Sequence, residues 1–418
     1  MTHSFNRREF MSAASGMAAV SLLPDFSFLS SHLGAVGMPV AVLGCGKRGR
    51  QILDELATLP AVEVIAIADV DSGRIKGGKR RAPQAKSYSG HLELLAAAKK
   101  DPSLGPNAWF VATPTHTHRA VLEALLPYGS PIFLEAPLAH TLEDARAIVK
   151  MVEESGVPVH VGFEQRTNPL FVRARAIIRS GGIRDMIGIS AHWHDKTSWR
   201  ASSPDPAREK ARNWKLNPLL AAGLSGEVCS HDFDIMCWLT RKRPTRVMAS
   251  GATRLHRDGR STPDTVQLSF NWKNGIRFDH EATLANSFGG NYIDIFGTHG
   301  TVRLSDGQAW LFKEDDAATL GWEVYATREQ VQNDNGIILR ADATKLAKQG
   351  KLNESSKMQD SLLRYALKGF LGMVVDAGAN PCTVVDAYPA TAMGILGSQA
   401  IQGDGVLALE ADNFAASL

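Results

Sequence analysis

Val40-Ala41-Val42-Leu43-Gly44-Cys45-Gly46-Lys47-Arg48-Gly49, running on into Arg50-Gln51-Ile52-Leu53-Asp54-Glu55-Leu56, constrains this chain more than any other stretch. An apolar run of strand character turns through three glycines spaced G-x-G-x-x-G and enters a segment of helical composition. That order suits a dinucleotide pyrophosphate. Gly44 makes the tight turn, Gly46 lets the backbone approach phosphate, and Gly49 lets helix and strand pack closely. The helix N-terminus offers free N–H groups and partial positive charge. Cys45, Lys47 and Arg48 complete the turn and are assigned to the same cofactor contact. In a chain with 37 glycines the triplet alone says little; its surroundings decide. Residues 62–68 read as a second strand ending at Asp69. This aspartate lies about 20 residues past the last glycine, where a carboxylate accepts hydrogen bonds from an adenosine ribose. A carboxylate there repels a 2′-phosphate and favours NAD, while Lys47, Arg48 and Arg74 keep NADP open.

Further strands are expected at 108–112, 131–135 and 157–161, with helices at 91–100 and 141–154, the second capped by Thr141. Regular alternation from Met38 to Gly162 predicts a parallel, doubly wound Rossmann sheet with ligands outside the carboxyl ends of its strands. Thr113-Pro114-Thr115-His116-Thr117-His118 and Glu135-Ala136-Pro137-Leu138-Ala139 fall at two of those ends. After Gly162 the pattern changes. A basic amphipathic helix over 170–180 stops at Gly181-Gly182. Strand-like runs follow at 186–193, 246–252, 265–272, 276–285, 292–297 and 301–304, with Asn274-Gly275 as a hairpin turn. They predict an α+β domain built on a large, mostly antiparallel sheet. Residues 216–239 read as mostly helix and 330–357 as a polar loop with some helix. Helices at 358–377 and 385–402 close the chain and are free to pack back on the first domain. The expected division is a signal and linker over 1–37, a NAD-binding domain over 38–162, and a substrate and dimerisation domain over 163–418.

The 418 residues leave room for two cores. A net charge of +3, without a stretch of stacked aromatics and arginines, argues against nucleic acid. Asn6-Arg7-Arg8-Glu9-Phe10-Met11, followed by an Ala-rich apolar run over 12–23, resembles a twin-arginine export signal. It departs from the usual pattern at Met11 and Ser12, where leucine and lysine are commoner. The run is too short and too weakly apolar for a stable membrane span. A periplasmic or exported protein is therefore expected, and a cytoplasmic one if the arginine pair belongs to an ordinary tail. Cys45, Cys229, Cys237 and Cys382 form no C-x-x-C pair and are expected as buried free thiols.

The glycine turn, Thr113-Pro114…His118, Glu135-x-Pro137 and a following antiparallel domain together resemble the glucose–fructose oxidoreductase / inositol dehydrogenase / MocA family. Val161-Gly162-Phe163-Glu164-Gln165-Arg166 resembles its segment after the last Rossmann strand. Arg212-Asn213-Trp214 and Ser225-Gly226-Glu227…His231-Asp232-Phe233-Asp234 resemble an exported subgroup. The resemblance implies that Gly44, Gly46 and Gly49 hold the pyrophosphate and Asp69 the adenosine ribose. Thr113, Pro114 and His118 would line the nicotinamide side, and Glu135 would contact the nicotinamide ribose. Glu227 and His231 would reach the substrate. The spacing of that last pair makes independent sense. Residues i and i+4 share a helical face, Asp234 can join them, and an imidazole can take a hydroxyl proton as hydride leaves carbon. His231 is expected as base and Glu227 as the group that orients it.

One departure stands out. Family dehydrogenases usually carry Glu-Lys-Pro, where the lysine helps polarise or deprotonate the reacting hydroxyl; here Ala136 replaces it. His231 is the first candidate for substitute base, with Lys215 and Arg166 as sources of positive charge. Arg166, His192, His194, Arg200, Trp214 and Asp234 are further candidates for substrate contact. His192 and His194 project together on one strand face, as metal ligands can, yet sugar contact or rim packing is expected and no metal centre is assigned. The expectation is a NAD-dependent oxidoreductase, its cofactor tightly bound, acting on a secondary hydroxyl of a sugar or cyclic polyol as a homo-oligomer. Ala136 motivates two alternatives: redox-neutral, NAD-dependent glycoside cleavage, and a non-catalytic sugar or nucleotide binder.

Overall fold

Alternating strands and helices build the first half of the chain: β1 (Met38–Leu43), α1 (Lys47–Leu56), β2 (Val62–Ala68), α2 (Ser72–Lys79), β3 (Lys86–Tyr88), α3 (His91–Lys100), β4 (Ala108–Val111), α4 (His118–Leu125), β5 (Ile132–Leu134), α5 (Leu142–Ser155) and β6 (Val159–Val161). The computed structural model describes residues 37–416 apart from 306, 332–333, 341–357, 359 and 377. The twin-arginine-like segment lies outside the described residues, as does most of the polar stretch before residue 358. The six strands pair in the order β3-β2-β1-β4-β5-β6, all parallel. The order reverses between β1 and β4, so a crevice opens at their carboxyl ends.

Three of these elements escape a reading by hydrophobic pattern. Helix α2 contains Gly73, Gly77 and Gly78; Asp71 caps it by accepting from the amides of Gly73 and Arg74. Gly78 is tightly constrained, since a Cβ there would lie 2.9 Å from the Cys45 sulfur. Strand β3 is a three-residue edge strand without a buried side chain. Helix α4 begins inside the Thr113–His118 motif, which reads as a turn.

The second half supplies α6 (Pro169–Arg179), capped by Asn168, then β7 (Met186–His194) and α7 (Pro206–Arg212). A π-helical turn, Ser225–Cys229, leads into α8 (Ser230–Thr240), so the stretch expected as helix from 216 is helical only in its later part. Strands β8 (Arg246–Ala252), β9 (Thr265–Asn271), β10 (Arg277–Thr283), β11 (Asn291–Gly297), β12 (Gly300–Ser305) and β13 (Gln308–Lys313) follow. Then come β14 (Arg328–Val331), β15 (Asp334–Ile338), α9 (Leu362–Asp376), α10 (Val384–Gln402) and β16 (Val406–Ala408). The ten strands form one sheet ordered β14-β15-β13-β12-β11-β7-β10-β9-β8-β16. Its described pairings are antiparallel except β7 with β10. Gly275, at φ 86°, makes the expected hairpin turn. The polar stretch after residue 327 is a correction: β14 and β15 pair there where loop and helix were expected. Sheet-end position lets mostly exposed, polar side chains form strands that composition does not reveal. The four cysteines are buried and unpaired.

The last two helices bind the halves together. Phe370 of α9 packs edge-on against Phe110 of β4 and Phe133 of β5, with ring centroids 5.3 and 5.7 Å away. Helix α10 is apolar almost all round, as suits a helix whose middle turns are buried on every side. It packs against α5, α8 and β8, and its Thr391 hydroxyl accepts from the Leu138 amide at 3.2 Å. Among the described residues no helix is long and apolar enough to cross a membrane. Truncating Phe370 tests the docking of α9. Phe370→Ala should cost about 3–5 kcal/mol, read as a lowered denaturation midpoint with weakened nucleotide binding. An unchanged midpoint would show that α9 is no part of the first core.

Candidate active site

At the carboxyl end of β1 the backbone is crowded on one side and open on the other. Gly44 sits at φ 92°, and a Cβ there would overlap the Ala112 carbonyl at the end of β4. A Cβ on Gly49 would overlap the Gly44 carbonyl oxygen. Gly46 differs: its Cβ would meet nothing within 4 Å and would project into open space at the start of α1. An open face, free helix amides and a nearby carboxylate are what a pyrophosphate and ribose require. Asp69 ends β2; its carboxylate accepts from the amides of Cys45 at 2.7 Å and Asp71 at 2.8 Å and borders the same cleft. The residues present thus fit a dinucleotide.

One assignment in the turn needs correction. Cys45 does not line the cleft: its amide donates to Asp69, and its thiol is fully buried against α2, where burial, then the Asp69 charge, push it up to about 12. Lys47 is exposed at the cleft edge. Arg48 faces the cleft but is taken up by two carboxylates: Nε donates to Glu135 at 2.8 Å and Nη2 pairs with Glu164. A long guanidinium beside buried carboxylates satisfies them before it reaches a phosphate. Glu135 borders the cleft as this ion pair, and burial, opposed by Arg48, raises its carboxyl above the ordinary range.

Thr113 and Pro114 line the cleft beyond the turn. His118 is 1% exposed, and its two ring nitrogens lie 3.1 Å from the carbonyls of Leu138 and Thr113. Burial pushes it down to about 4, opposed by the hydrogen bonds to the two carbonyls. His118 still lines the cleft, and His116, which the motif reading did not assign, lines it too, its ring 5.7 Å from that of Trp214. His118, at the start of α4, is the more deeply buried of the two.

The substrate side comes from the second half of the chain. His231 and Glu227 both border the cleft. The π-helical turn changes their relation. Glu227 accepts from the Thr115 hydroxyl at 2.9 Å and pairs with Lys215 at 3.2 Å, where orientation of His231 was expected. Lys215 also lies over the rings of Trp199 and Trp214, at 5.0 and 5.4 Å. His231 stands edge-on to Phe163, and burial pushes its imidazole below the ordinary value. Asp232, another cleft residue the spacing did not reveal, is bonded at 2.8 Å to His280 of β10. Burial opposes charge on His280, but Cys229 and Asp232 carry it up to about 10.

Arg166 and Asp234 are corrected most sharply. They form a bidentate pair at 2.7 and 2.8 Å, with side chains 4% and 0% exposed, and neither borders the cleft. Asp234 lies on the inner face of α8, so a shared helical face with His231 does not bring it to the substrate. Arg200 borders the cleft, with its guanidinium on Glu209 and the Asp258 carbonyl. His192 lines the cleft edge and stacks on Tyr292, whereas His194 is not among the lining residues. At the other end α7 reaches across from the second half: Arg208 grips Asp71 in a two-point pair at 2.7 and 2.8 Å. The whole cleft, about 1490 Å³, runs from Gly46 and Asp69 to His231 and Trp214, enough for a dinucleotide and a small second ligand.

A profile described as "Oxidoreductase family, NAD-binding Rossmann fold" matches residues 38–163, and one described as "GFO/IDH/MocA C-terminal domain" matches 171–303. The chain belongs to the GFO/IDH/MocA family. Within it, inositol 2-dehydrogenase 2 of Saccharopolyspora erythraea is 27% identical over 273 residues, 64% of this chain and 73% of that protein. The scyllo-inositol 2-dehydrogenase (NAD(+)) of Bacillus subtilis is 26% identical over 63% of this chain and 72% of its own. A solved levoglucosan dehydrogenase in complex with NADH shares the fold with a TM-score of 0.68 at 19% identity, covering 90% of this chain and all of that one. This GFO/IDH/MocA protein is an NAD-binding oxidoreductase of that type.

The glycine geometry separates two substitutions in the turn. Gly46→Ala should leave thermal stability unchanged and weaken NAD binding, because its Cβ enters the open face. Gly49→Ala should lower stability even without nucleotide, because its Cβ meets backbone that cannot yield. Calorimetric titration and thermal melts of both variants check the contrast.

Proposed function

We propose that this oxidoreductase acts on a secondary hydroxyl of a sugar or cyclic polyol, with His231 as the base. The observation that carries the reading is the His231 imidazole in the same cleft as the open face of Gly46, with burial pushing its pKa below the ordinary value. NAD held along Gly44–Gly49 and Asp69 supplies the hydride acceptor. His231 takes the hydroxyl proton, and Lys215 provides the cation that Ala136 lacks. Lys215 arrives from another element, yet its charge is felt at both Glu135 and His231. Glu227 and Thr115 position Lys215, while Trp199 and Trp214 flank its ammonium and offer apolar faces to a ring.

The test is a screen of free sugars, cyclitols and aryl glycosides with purified protein, following NADH and released phenol together. With an active substrate, His231→Ala should lower turnover by about 10²–10⁴-fold. Lys215→Ala should lose activity that Lys215→Arg partly retains. Because burial depresses the His231 pKa, the base stays neutral to lower pH, and the acidic limb of kcat/KM should fall below 6.5, the ordinary imidazole value. A limb above that value rules His231 out. Absence of turnover on every class, with ligand affinity unchanged in His231→Ala, would leave a binding protein.

Redox-neutral glycoside cleavage is the second reading, favoured by Ala136 and by the Arg208–Asp71 latch, which suits a cofactor that stays bound between turnovers. Retention also suits export through the twin-arginine-like segment, which we propose as the route to the periplasm. Arg208→Ala should release NAD a few-fold faster without changing the fold. An unchanged release rate would remove the latch from the argument. A homo-oligomer is proposed through the outer face of the ten-stranded sheet, which presents Met248 and Phe296 to solvent.

A further inference from the structure

We infer that β7 and β10 together form a site for a divalent transition-metal ion of the zinc class, with His192, His194 and Glu281 as ligands. The parallel register sets Glu281 directly opposite His192. His194 follows two residues along the strand and projects on the same side. One ligand atom from each residue lies within 4.8 Å of the others.

Hydrogen bonding fixes which atoms of the three side chains face one another. His194 Nδ1 lies 2.8 Å from the Phe288 carbonyl oxygen, so that nitrogen donates and the neutral ring carries its lone pair on Nε2. Nε2 is buried and without a hydrogen-bond partner. The nearest carboxylate atom is Glu281 Oε1, 3.5 Å away. Two acceptors facing each other at that distance repel unless a positive centre lies between them. A proton on His194 answers for two of the three groups and leaves His192 without a part. A metal ion answers for all three. The surroundings also match what ligating imidazoles receive elsewhere: a backbone carbonyl holds the tautomer of His194, and Tyr292, stacked at 4.4 Å, holds the plane of His192. Two imidazoles and one carboxylate select zinc or a similar ion over magnesium or calcium, which take oxygen ligands. Three protein ligands leave a coordination position for water or a substrate oxygen. His192 also lines the cleft, so an ion here stands at its rim. The pattern His-x-His on a strand is visible in the sequence; the glutamate, 87 positions beyond His194, is brought in only by strand pairing.

The test uses the full chain without a polyhistidine tag, titrated with Zn²⁺ alone and with Co²⁺ as an optical probe. One zinc per chain is expected, with cobalt absorption bands typical of low coordination number. His194→Gln and Glu281→Gln should each weaken zinc by more than the ~10–100-fold seen on losing an outer-shell partner. Neither side chain lines the cleft, so circular dichroism and NAD affinity should remain those of the parent protein. The proposal is overturned if zinc does not bind stoichiometrically, or if both variants bind it as the parent does. It is equally overturned if nitrogen NMR shows His194 doubly protonated against Glu281 in a protein that takes up no zinc.

Discussion

Backbone pressed on backbone at the ends of β1 and β4 is the constraint from which the rest follows. Gly44 lies against the Ala112 carbonyl and Gly49 against the carbonyl of Gly44, leaving no room for a side chain at either position. That contact draws the start of α1 to the point where the strand order reverses. Its amides consequently face a crevice, and Gly46 opens onto that crevice. Any ligand held there lies across the carboxyl ends of β1, β4 and β5, and this fixes where the second half of the chain must deliver its reactive groups.

Delivery depends on the two closing helices. Helix α9 belongs to the core of the first sheet through Phe370, although it comes from the far end of the chain. Helix α10, buried along its middle turns, packs on α8, which carries His231. The Arg166–Asp234 pair adds a buried crosslink behind α8. Taking such a pair out of water is costly, and removing one partner strands the other charge, so it specifies this arrangement more than it stabilises it.

Along the cleft five carboxylates are matched by a group from another element: Glu135 and Glu164 by Arg48, Glu227 by Lys215, Asp232 by His280 and Asp71 by Arg208. In that setting the loss of a lysine at position 136 need not leave the site without a local cation. Lys215 reaches it from the segment after α7, held by Glu227 and flanked by two tryptophans.

The glycine spacing, the acid after β2, the alternation of strand and helix and the proline motifs were legible in the amino-acid order, because each depends on a local periodicity or a single backbone geometry. They determined a Rossmann domain, an antiparallel partner domain and a cofactor cleft. Local order could not reveal β3, β14 and β15, whose mostly polar, exposed side chains become strands only through pairing. It could not show that His116 joins His118 at the cleft, or that Asp234 turns inward while Asp232 faces the cleft, because which face of a helix is buried is set by the elements that pack against it. Nor could it join Arg208 to Asp71, Lys215 to Glu227, or Glu281 to the histidines of β7. Those pairings are decided by tertiary structure alone, since ion pairs and ligand sets depend on distance in space, and sequence separation fixes that distance only within a single helix or strand.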